Sequence, residues 1–474
     1  MSRSWSQYQV ALFNDFATNR GHTVVEAVAG SGKTSSLIEG MKHVPAGKRV
    51  VMIAFNRSTA SELKARVPAG VDAKTSHGLG YGAVLWAFRS QFPQITVDDK
   101  KEYKLAKQMF SDWSSVDIDA LLKLTALAKA WVARSERELT DICVEYDLPS
   151  GLVRFARDLL AECAKPSATL SFDDMVWLPV VLNLRPKQYD VVVVDEAQDL
   201  SRAQVMLAKM AVKRGGRIVA VGDPKQAIYG FRGADSRSMP NMTKDLRATV
   251  LPLSVTYRCP VAVVDHVKHL VPQLEAAPGA AEGVVNADVA TSTMTAKWAP
   301  GDFVLSRVNA PLVRLCLAAL RGGIPAYVLG RDIGAGLRAL VNKCARGESV
   351  PDMLAGLRRW RDDEEQRLVA ADQSKKIDAM MDRFDTIVAL SEDMRSVSEL
   401  LARLDSLFAD DARGKRLMFS STHKAKGLEA HRVWLLAPTY REGLSEEEDN
   451  LYYVAATRAQ HELNLVDYDP KRDM

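Results

Sequence analysis

No stretch of this sequence is long and apolar enough to cross a bilayer; the longest apolar runs, such as Val191–Val194, have the length of a buried strand. The first nine residues are polar and no apolar segment follows them, so no secretory leader is expected. The expectation is an intracellular, cytoplasmic protein (nucleoid-associated if bacterial or phage) with no membrane partner. Cysteine is scarce: Cys143, Cys163, Cys259, Cys316 and Cys344 are odd in number, scattered, and never in CxxC spacing. Neither a zinc site nor a disulfide framework follows from them. Charge of one sign is lacking too, with 63 Lys and Arg against 59 Asp and Glu. The resulting +4 is compatible with nucleic-acid binding without arguing for it. There is no fixed-period repeat and no low-complexity tract. What remains is an ordinary globular composition, 47% hydrophobic and 26% charged, over 474 residues, enough for roughly two to four domains.

Strand and helix patterns alternate in the first part of the chain. Thr23–Val28, Arg49–Phe55 and Val71–Thr75 read as strands, each followed by a helix, near Thr34, Arg57 and His77. Tyr189–Val194 and Arg217–Val221 are further strands around a helix from about Ser201 to Val212. Such alternation predicts a parallel, doubly wound sheet. The stretch from about Gln94 to Leu170 has helical periodicity and no strand pattern. The second half repeats the plan, with strands at Phe303–Ser306, Ala326–Leu329, Leu417–Ser420, Arg432–Leu436 and Glu462–Val466. Helices are expected at about Pro311–Leu320 and Glu446–Thr457, and a wholly helical segment from about Gly334 to Asp410. The division is therefore 1–93 with 171–250 as a first α/β domain, 94–170 as its helical insertion, 251–333 with 411–474 as a second α/β domain, and 334–410 as a smaller helical insertion.

Two segments carry phosphate chemistry. Gly30-Ser31-Gly32-Lys33-Thr34 follows a strand and opens a helix, the context that a phosphate-binding loop requires. Glycines let backbone N–H groups curl around phosphates, Lys33 reaches the terminal phosphates, and the Thr34 hydroxyl suits Mg²⁺. Val191-Val192-Val193-Val194-Asp195-Glu196 sets two acids at the carboxyl end of a buried strand, where open α/β sheets bind ligands. Asp195 is expected to hold Mg²⁺ through water, and Glu196 to orient and deprotonate an attacking water. Alone, these two elements indicate only a nucleotide-hydrolysing protein.

Beyond them, Gly222-Asp223-Pro224-Lys225-Gln226-Ala227-Ile228-Tyr229-Gly230-Phe231-Arg232-Gly233-Ala234 resembles motif III of the superfamily 1 DNA helicases of the UvrD/Rep/PcrA group. The resemblance implies that Gln226 senses the γ-phosphate, that Tyr229 and Phe231 stack on bases, and that Arg232 reaches the strand backbone. The family usually has Trp where this chain has Phe231. Ala27, where the strict phosphate-loop pattern has glycine, matches the variant found in the same superfamily. The other motifs follow in family order. Gln9 resembles the residue that reads the adenine edge. Ala54-Phe55-Asn56-Arg57 and Thr75-Ser76-His77 resemble motifs Ia and Ib, so Phe55, Asn56, Thr75 and His77 are implied to line the strand path. Phe172-Asp173-Asp174-Met175 resembles the acidic-aromatic segment preceding the acid-bearing strand. Thr256-Tyr257-Arg258 resembles motif IV, with Tyr257 on the adenine and Arg258 at the γ-phosphate. Thr422-His423-Lys424-Ala425-Lys426-Gly427-Leu428-Glu429 resembles motif V, with Glu429 at the ribose and Thr422 and His423 at DNA. Tyr453 to Ala459 resembles motif VI, with Arg458 as arginine finger.

This chain is thus identified as a compact member of that group, and the resemblance implies two RecA-like P-loop NTPase domains, each with a helical insertion. It implies ATP and Mg²⁺ as cofactors, and single-stranded DNA and single/double-strand junctions as partners, with replication, repair or recombination proteins beside them. The implied activity is ATP-dependent translocation and unwinding, 3′ to 5′, driven by hydrolysis in the interdomain cleft. Two alternatives share these residues: a remodeller that strips proteins from DNA with little unwinding, in keeping with the small second insertion, and an ATP-gated DNA-binding or loading module.

Overall fold

The computed structural model describes residues 4–54, 56–230, 233, 237–370, 376–409, 416–469 and 472. The expected sites Phe55, Phe231 and Arg232 lie outside the described residues. The chain divides into two compact units, 1–255 and 256–474.

Unit 1 is built on a six-stranded, all-parallel sheet of β1 (Thr23–Ala27), β2 (Val50–Ala54), β3 (Val71–Thr75), β4 (Tyr189–Val194), β5 (Val212–Gly222) and β6 (Thr249–Leu253), in the order β3-β2-β4-β5-β1-β6. Both faces are covered, which explains the near-continuous apolar strands. The period of two sorts the residues. Val192 and Val194 face a cluster with Val24, Ile53, Leu79, Val176 and Leu207, whereas Val191 and Val193 face one with Val25, Met52, Leu12, Leu37 and Leu63. The second face is closed by α1 (Gln7–Thr18), α2 (Lys33–Met41) and α3 (Arg57–Lys64), the first by α4 (Ser76–Phe88) and helices that come later in the chain.

Between β3 and β4 the chain leaves the sheet and forms α5 (Lys101–Met109), α6 (Ser115–Trp131), α7 (Glu136–Glu145) and α8 (Val153–Cys163), returning through α9 (Phe172–Val181). These helices have their own core around Leu121, Leu124, Ile142, Leu159 and Cys163. The expectation of a strand-free insertion is corrected at its neck: Thr96–Val97 pairs in parallel with Thr169–Leu170. Each segment is two residues long, too short for a period-two pattern to show. α10 (Arg202–Met210) and α11 (Ser238–Leu246) complete the unit. Ser171 and Ser201 start α9 and α10 with reciprocal caps, closed by Asp174 and Gln204 three residues on.

A buried ionic cluster ties the insertion to the sheet-packed helix α9. Asp174 accepts from Lys129 of α6 (2.7 Å) and Lys101 of α5 (2.6 Å), and Lys129 also meets Glu102. Burial would raise the Asp174 carboxyl, but the two ammonium groups hold it below the ordinary carboxylate range.

Unit 2 carries a seven-stranded parallel sheet: β7 (Val284–Ala290), β8 (Phe303–Ser306), β9 (Ala326–Leu329), β10 (Phe408–Ala409), β11 (Leu417–Ser421), β12 (Ala430–Leu436) and β13 (Ala459–Asp467), in the order β7-β13-β12-β8-β11-β9-β10. Its helices are α12 (Val261–Val267), α13 (Thr291–Lys297), α14 (Ala310–Arg321), the run α15 (Arg331–Cys344), α16 (Val350–Ala370), α17 (Ile377–Ser391) and α18 (Val397–Leu407), then α19 (Thr422–Ala425) and α20 (Glu446–Ala456). The α15–α18 run shares one core with the sheet through Val328, Leu337, Met353, Ile387, Leu400 and Phe419. The expectation of a wholly helical segment to Asp410 is corrected at its end, where Phe408–Ala409 joins the sheet beside β9. The α/β class with two parallel sheets is as the sequence predicted.

Candidate functional site

In unit 1 the sheet order sets β4, β5 and β1 side by side, and their parallel direction brings three carboxyl ends together. That is where an open α/β sheet receives its ligand. β1 leads into the glycine loop, with Gly30 and Gly32 in the left-handed region (φ 72° and 75°). Only glycine takes up such angles freely, so the loop wraps tightly and α2 begins at Lys33 with its first N–H groups facing the loop. The Ser31 hydroxyl is buried and has no hydrogen-bond partner among the described residues. A phosphate in the loop would satisfy it.

β4 delivers the acids against this loop. Thr34 Oγ1 donates to Asp195 Oδ2 at 2.8 Å, and Lys33 Nζ stands 3.7 Å from Glu196 Oε1. Burial beside the Glu196 charge pushes the Asp195 carboxyl up to about 6, against the pull of the Thr34 hydroxyl and Lys33. A divalent cation there would reverse that shift. Thr34 and Asp195 are two hard oxygen donors in contact. Among the described residues no group of three or more His, Cys, Asp or Glu could hold a metal. A pair that leaves the other positions to phosphate and water suits Mg²⁺. Glu196 is itself left-handed (φ 52°), a strained conformation for a non-glycine residue that sets its carboxylate toward Lys33.

β5 supplies Gly222, Asp223 and Gln226. Gln226 Nε2 donates to Asp223 Oδ2 at 2.6 Å, and burial holds the Asp223 carboxyl above its usual range. The residue joining β4 to β5 is Gln198, to which the sequence reading gave no role. Its Nε2 donates to Glu196 Oε2 (2.6 Å), and its Oε1 accepts from Asp223 N (3.0 Å). Gly222 makes room for it: a Cβ there would lie 2.4 Å from Gln198 Oε1 and 2.6 Å from Met239 Sδ. The signal available was Gln198 two residues after an Asp-Glu pair, but the bridge depends on strand adjacency.

Gln9 is buried, and its carboxamide accepts from Ser6 N (3.0 Å) and donates to Ser36 Oγ on α2 (2.8 Å). It lies against the helix that the glycine loop opens. Of the expected strand-path residues, Asn56 and Thr75 stand at the carboxyl ends of β2 and β3. Asn56 caps α3, accepting from Thr59 N, and Thr75 caps α4, accepting from Gly78 N. The half-buried His77 packs edge-on against the exposed Phe172 at 6.1 Å, and burial lowers its pKa. Tyr229 is half-buried.

In unit 2, Arg258 Nε donates to Glu429 Oε2 at 2.5 Å, and Glu429 Oε1 accepts from Gln460 at 2.9 Å. Tyr257 beside it is 45% exposed. Arg458, expected as a finger, is buried: it donates to Val454 O (2.8 Å), Leu428 O (3.1 Å) and Thr457 Oγ1 (3.2 Å), pinning the start of β13 to the loop that carries Glu429. Thr422 is buried and shares a 2.6 Å hydrogen bond with Tyr440 Oη, and His423 is half-buried. The structure thus assembles one set, Gln9, Gly30–Thr34, Asp195, Glu196 and Gln226, in unit 1, and a second, Arg258, Glu429 and Arg458, in unit 2.

Comparison with known proteins agrees with this geometry. The chain resembles F-box DNA helicase protein 1 of Schizosaccharomyces pombe, 26% identical over 511 residues, which cover 94% of this chain and 55% of that protein. It is 27% identical over 271 residues to the ATP-dependent DNA helicase Rep of Escherichia coli (50% of this chain, 39% of Rep). It is 28% identical over 276 residues to the ATP-dependent DNA helicase PcrA of Bacillus subtilis (51% and 36%). The chain spans about half the length of these relatives or less. A UvrD-like helicase C-terminal domain matches residues 417–466, and a UvrD/REP helicase N-terminal domain matches residues 10–247, half of the chain. The chain belongs to the UvrD/REP helicase family.

Proposed function

We propose that this protein is an ATP-dependent motor on single-stranded DNA that couples hydrolysis to strand movement and duplex unwinding, with 3′ to 5′ polarity as the family resemblance implies. One observation carries the reading: the glycine loop, the Asp195–Glu196 pair and Gln226 meet at three adjacent strand ends in a chain of this family. Lys33 and the loop N–H groups hold the phosphates of ATP, Thr34 and Asp195 hold Mg²⁺, and Glu196 orients and deprotonates the attacking water. Mg²⁺, when bound, neutralises charge developing on the phosphates. Gln226 senses the γ-phosphate three residues before Tyr229, so a single segment reports nucleotide state to the strand. Arg258 and Arg458 complete charge stabilisation at the γ-phosphate, Tyr257 stacks on the adenine, and Glu429 takes the ribose. Asn56, Thr75, His77, Tyr229, Thr422 and His423 line the strand path, with Phe55, Phe231 and Arg232. Stacking on one aromatic ring contributes about 1–3 kcal/mol per base and tolerates any sequence. The four-part domain division read from the sequence belongs to the same proposal, as do DNA junctions and replication, repair or recombination proteins as partners.

Streptavidin displacement from oligonucleotides biotinylated at either end, alongside unwinding of tailed duplexes, tests the proposal. ATP-dependent displacement from the 5′ end with unwinding of 3′-tailed duplexes is expected. Displacement without unwinding would reduce the activity to translocation and protein stripping. No ATP-dependent displacement from either end would overturn the motor.

A further inference from the structure

The segment after Gln226 is held from outside the sheet, by the inserted helices. Tyr146, which caps the carboxyl end of α7, donates its hydroxyl to Gly230 O at 3.1 Å, and Trp131, the last residue of α6, donates its Nε1–H to Tyr146 Oη at 3.2 Å. The rings meet edge to face at 6.2 Å. Gly230 O also accepts from Gly233 N at 2.9 Å, a hydrogen bond that spans Phe231 and Arg232 in sequence. Gly233 (φ 79°) lies against α6 so closely that an added Cβ would be 3.0 Å from Ala130 Cβ and 3.4 Å from Leu127 Cδ2. Both flanks of the Phe231–Arg232 pair therefore rest on the insertion.

The backbone of the two helix ends gives a second, independent observation. Val132, directly after Trp131, and Asp147, directly after Tyr146, are both left-handed (φ 56° and 52°). For a β-branched residue this is a true outlier. Val132 tolerates it because its side chain is buried among the sheet-packed apolar residues. Asp147 is fixed by the helix-end hydrogen bond from Leu148 N to Cys143 O at 2.8 Å. Strain of this kind persists only where the surroundings over-determine it, and it gathers at functional segments. Two residues before Trp131, Lys129 is clamped by the buried Asp174 of α9. The Asp174–Lys129 ion pair thus anchors the end of α6, whose Trp131 leads through Tyr146 to Gly230.

We propose that Trp131 and Tyr146 are positioning residues that brace the chain at Gly230, so that the helical insertion sets the stiffness of the link between γ-phosphate sensing at Gln226 and the strand. This rests on the motor reading given above. The test is Tyr146→Phe, which removes one oxygen and keeps the ring, with Trp131→Phe beside it. Hydrogen–deuterium exchange of the full chain without ligands reads the brace directly and does not depend on activity. Faster exchange in the peptide covering 226–237 is expected, by about 2- to 12-fold, the ratio equivalent to one hydrogen bond's net 0.5–1.5 kcal/mol. Unchanged exchange there in both variants overturns the brace. ATP turnover at saturating single strand should fall in both variants with KM for ATP unchanged, a split that loss of overall stability would not produce. Turnover unchanged in the face of faster exchange overturns the coupling role. A wild-type protein whose ATPase ignores DNA would instead count against the motor reading and leave the exchange result to decide the brace.

Discussion

Replacing Gly222 with alanine should injure the candidate site without touching a residue that handles nucleotide. Gly222 ends β5, and the added methyl would stand 2.4 Å from Gln198 Oε1, 2.6 Å from Met239 Sδ and 3.0 Å from Gln198 N. The methionine sulfur can swing away, and the carboxamide can rotate, but the backbone nitrogen cannot. If Gln198 turns out of the way, its bonds to Glu196 and Asp223 break together. Overpacking of one methyl costs about 1–3 kcal/mol, and the two hydrogen bonds contribute about 0.5–1.5 kcal/mol each. A loss of about 3 kcal/mol is expected, read as a lower urea midpoint. Turnover should fall on the order of 10- to 100-fold, because Glu196 loses the partner that orients it. The decisive measurement is a double-mutant cycle with Gln198→Ala, which removes the bonds and the clashing oxygen at once. The two changes should be strongly sub-additive, with an interaction of about 1–3 kcal/mol. Additive effects, or a Gly222→Ala protein as stable and active as the parent, would refute the bridge.

Lys33→Ala should abolish DNA-stimulated ATP hydrolysis and leave single-strand binding largely intact in a filter or anisotropy assay; normal turnover would sink the nucleotide assignment. Arg458→Ala should also abolish turnover, but it should destabilise the protein as well, because two buried carbonyls lose a charged donor, at about 1–3 kcal/mol. An unchanged unfolding midpoint would show that the guanidinium is not held as described. Asp174→Asn should lower stability by about 3–5 kcal/mol, since Lys101 and Lys129 are left buried with too little opposing charge. The Asp174 carboxyl titrates lower in the folded chain than in the unfolded one, so its stabilisation is complete above the unfolded value and is lost as pH falls through the folded one. Unfolding midpoints measured from neutral pH down to about 3 should therefore show an acid slope shallower in Asp174→Asn than in the parent; equal slopes would contradict the shift. Tyr229→Ala should weaken single-strand binding by about 1–3 kcal/mol if its ring stacks on a base, and unchanged affinity would remove it from the strand path.

The sequence by itself determined the features that depend on near neighbours in the chain. A run of four valines declares a buried strand, two glycines before Lys33 declare a tight loop, and the boundaries of β8 and β9 coincide with their apolar runs. The order of motifs, from Gln9 to Arg458, is enough to indicate the family without the fold. Edge strands escaped notice for a physical reason. β6 is half-exposed and contains Pro252, and β7 is mostly exposed with an irregular register, so neither shows a clean apolar pattern. Only the tertiary structure decided which distant residues meet. Asp174 lies 73 residues from Lys101, and Gln198 bridges 25 residues to Asp223. Such pairings are set by strand order and helix packing, which no local period encodes. The same holds for Arg458 and Thr422: an isolated arginine reads as a surface ion pair, and the family resemblance alone set these two at ligands, whereas their burial and their partners within unit 2 follow from packing. The loop, the acids and the strand were legible because their chemistry is local; the bridge, the clamp and the brace exist only where the folded chain closes on itself.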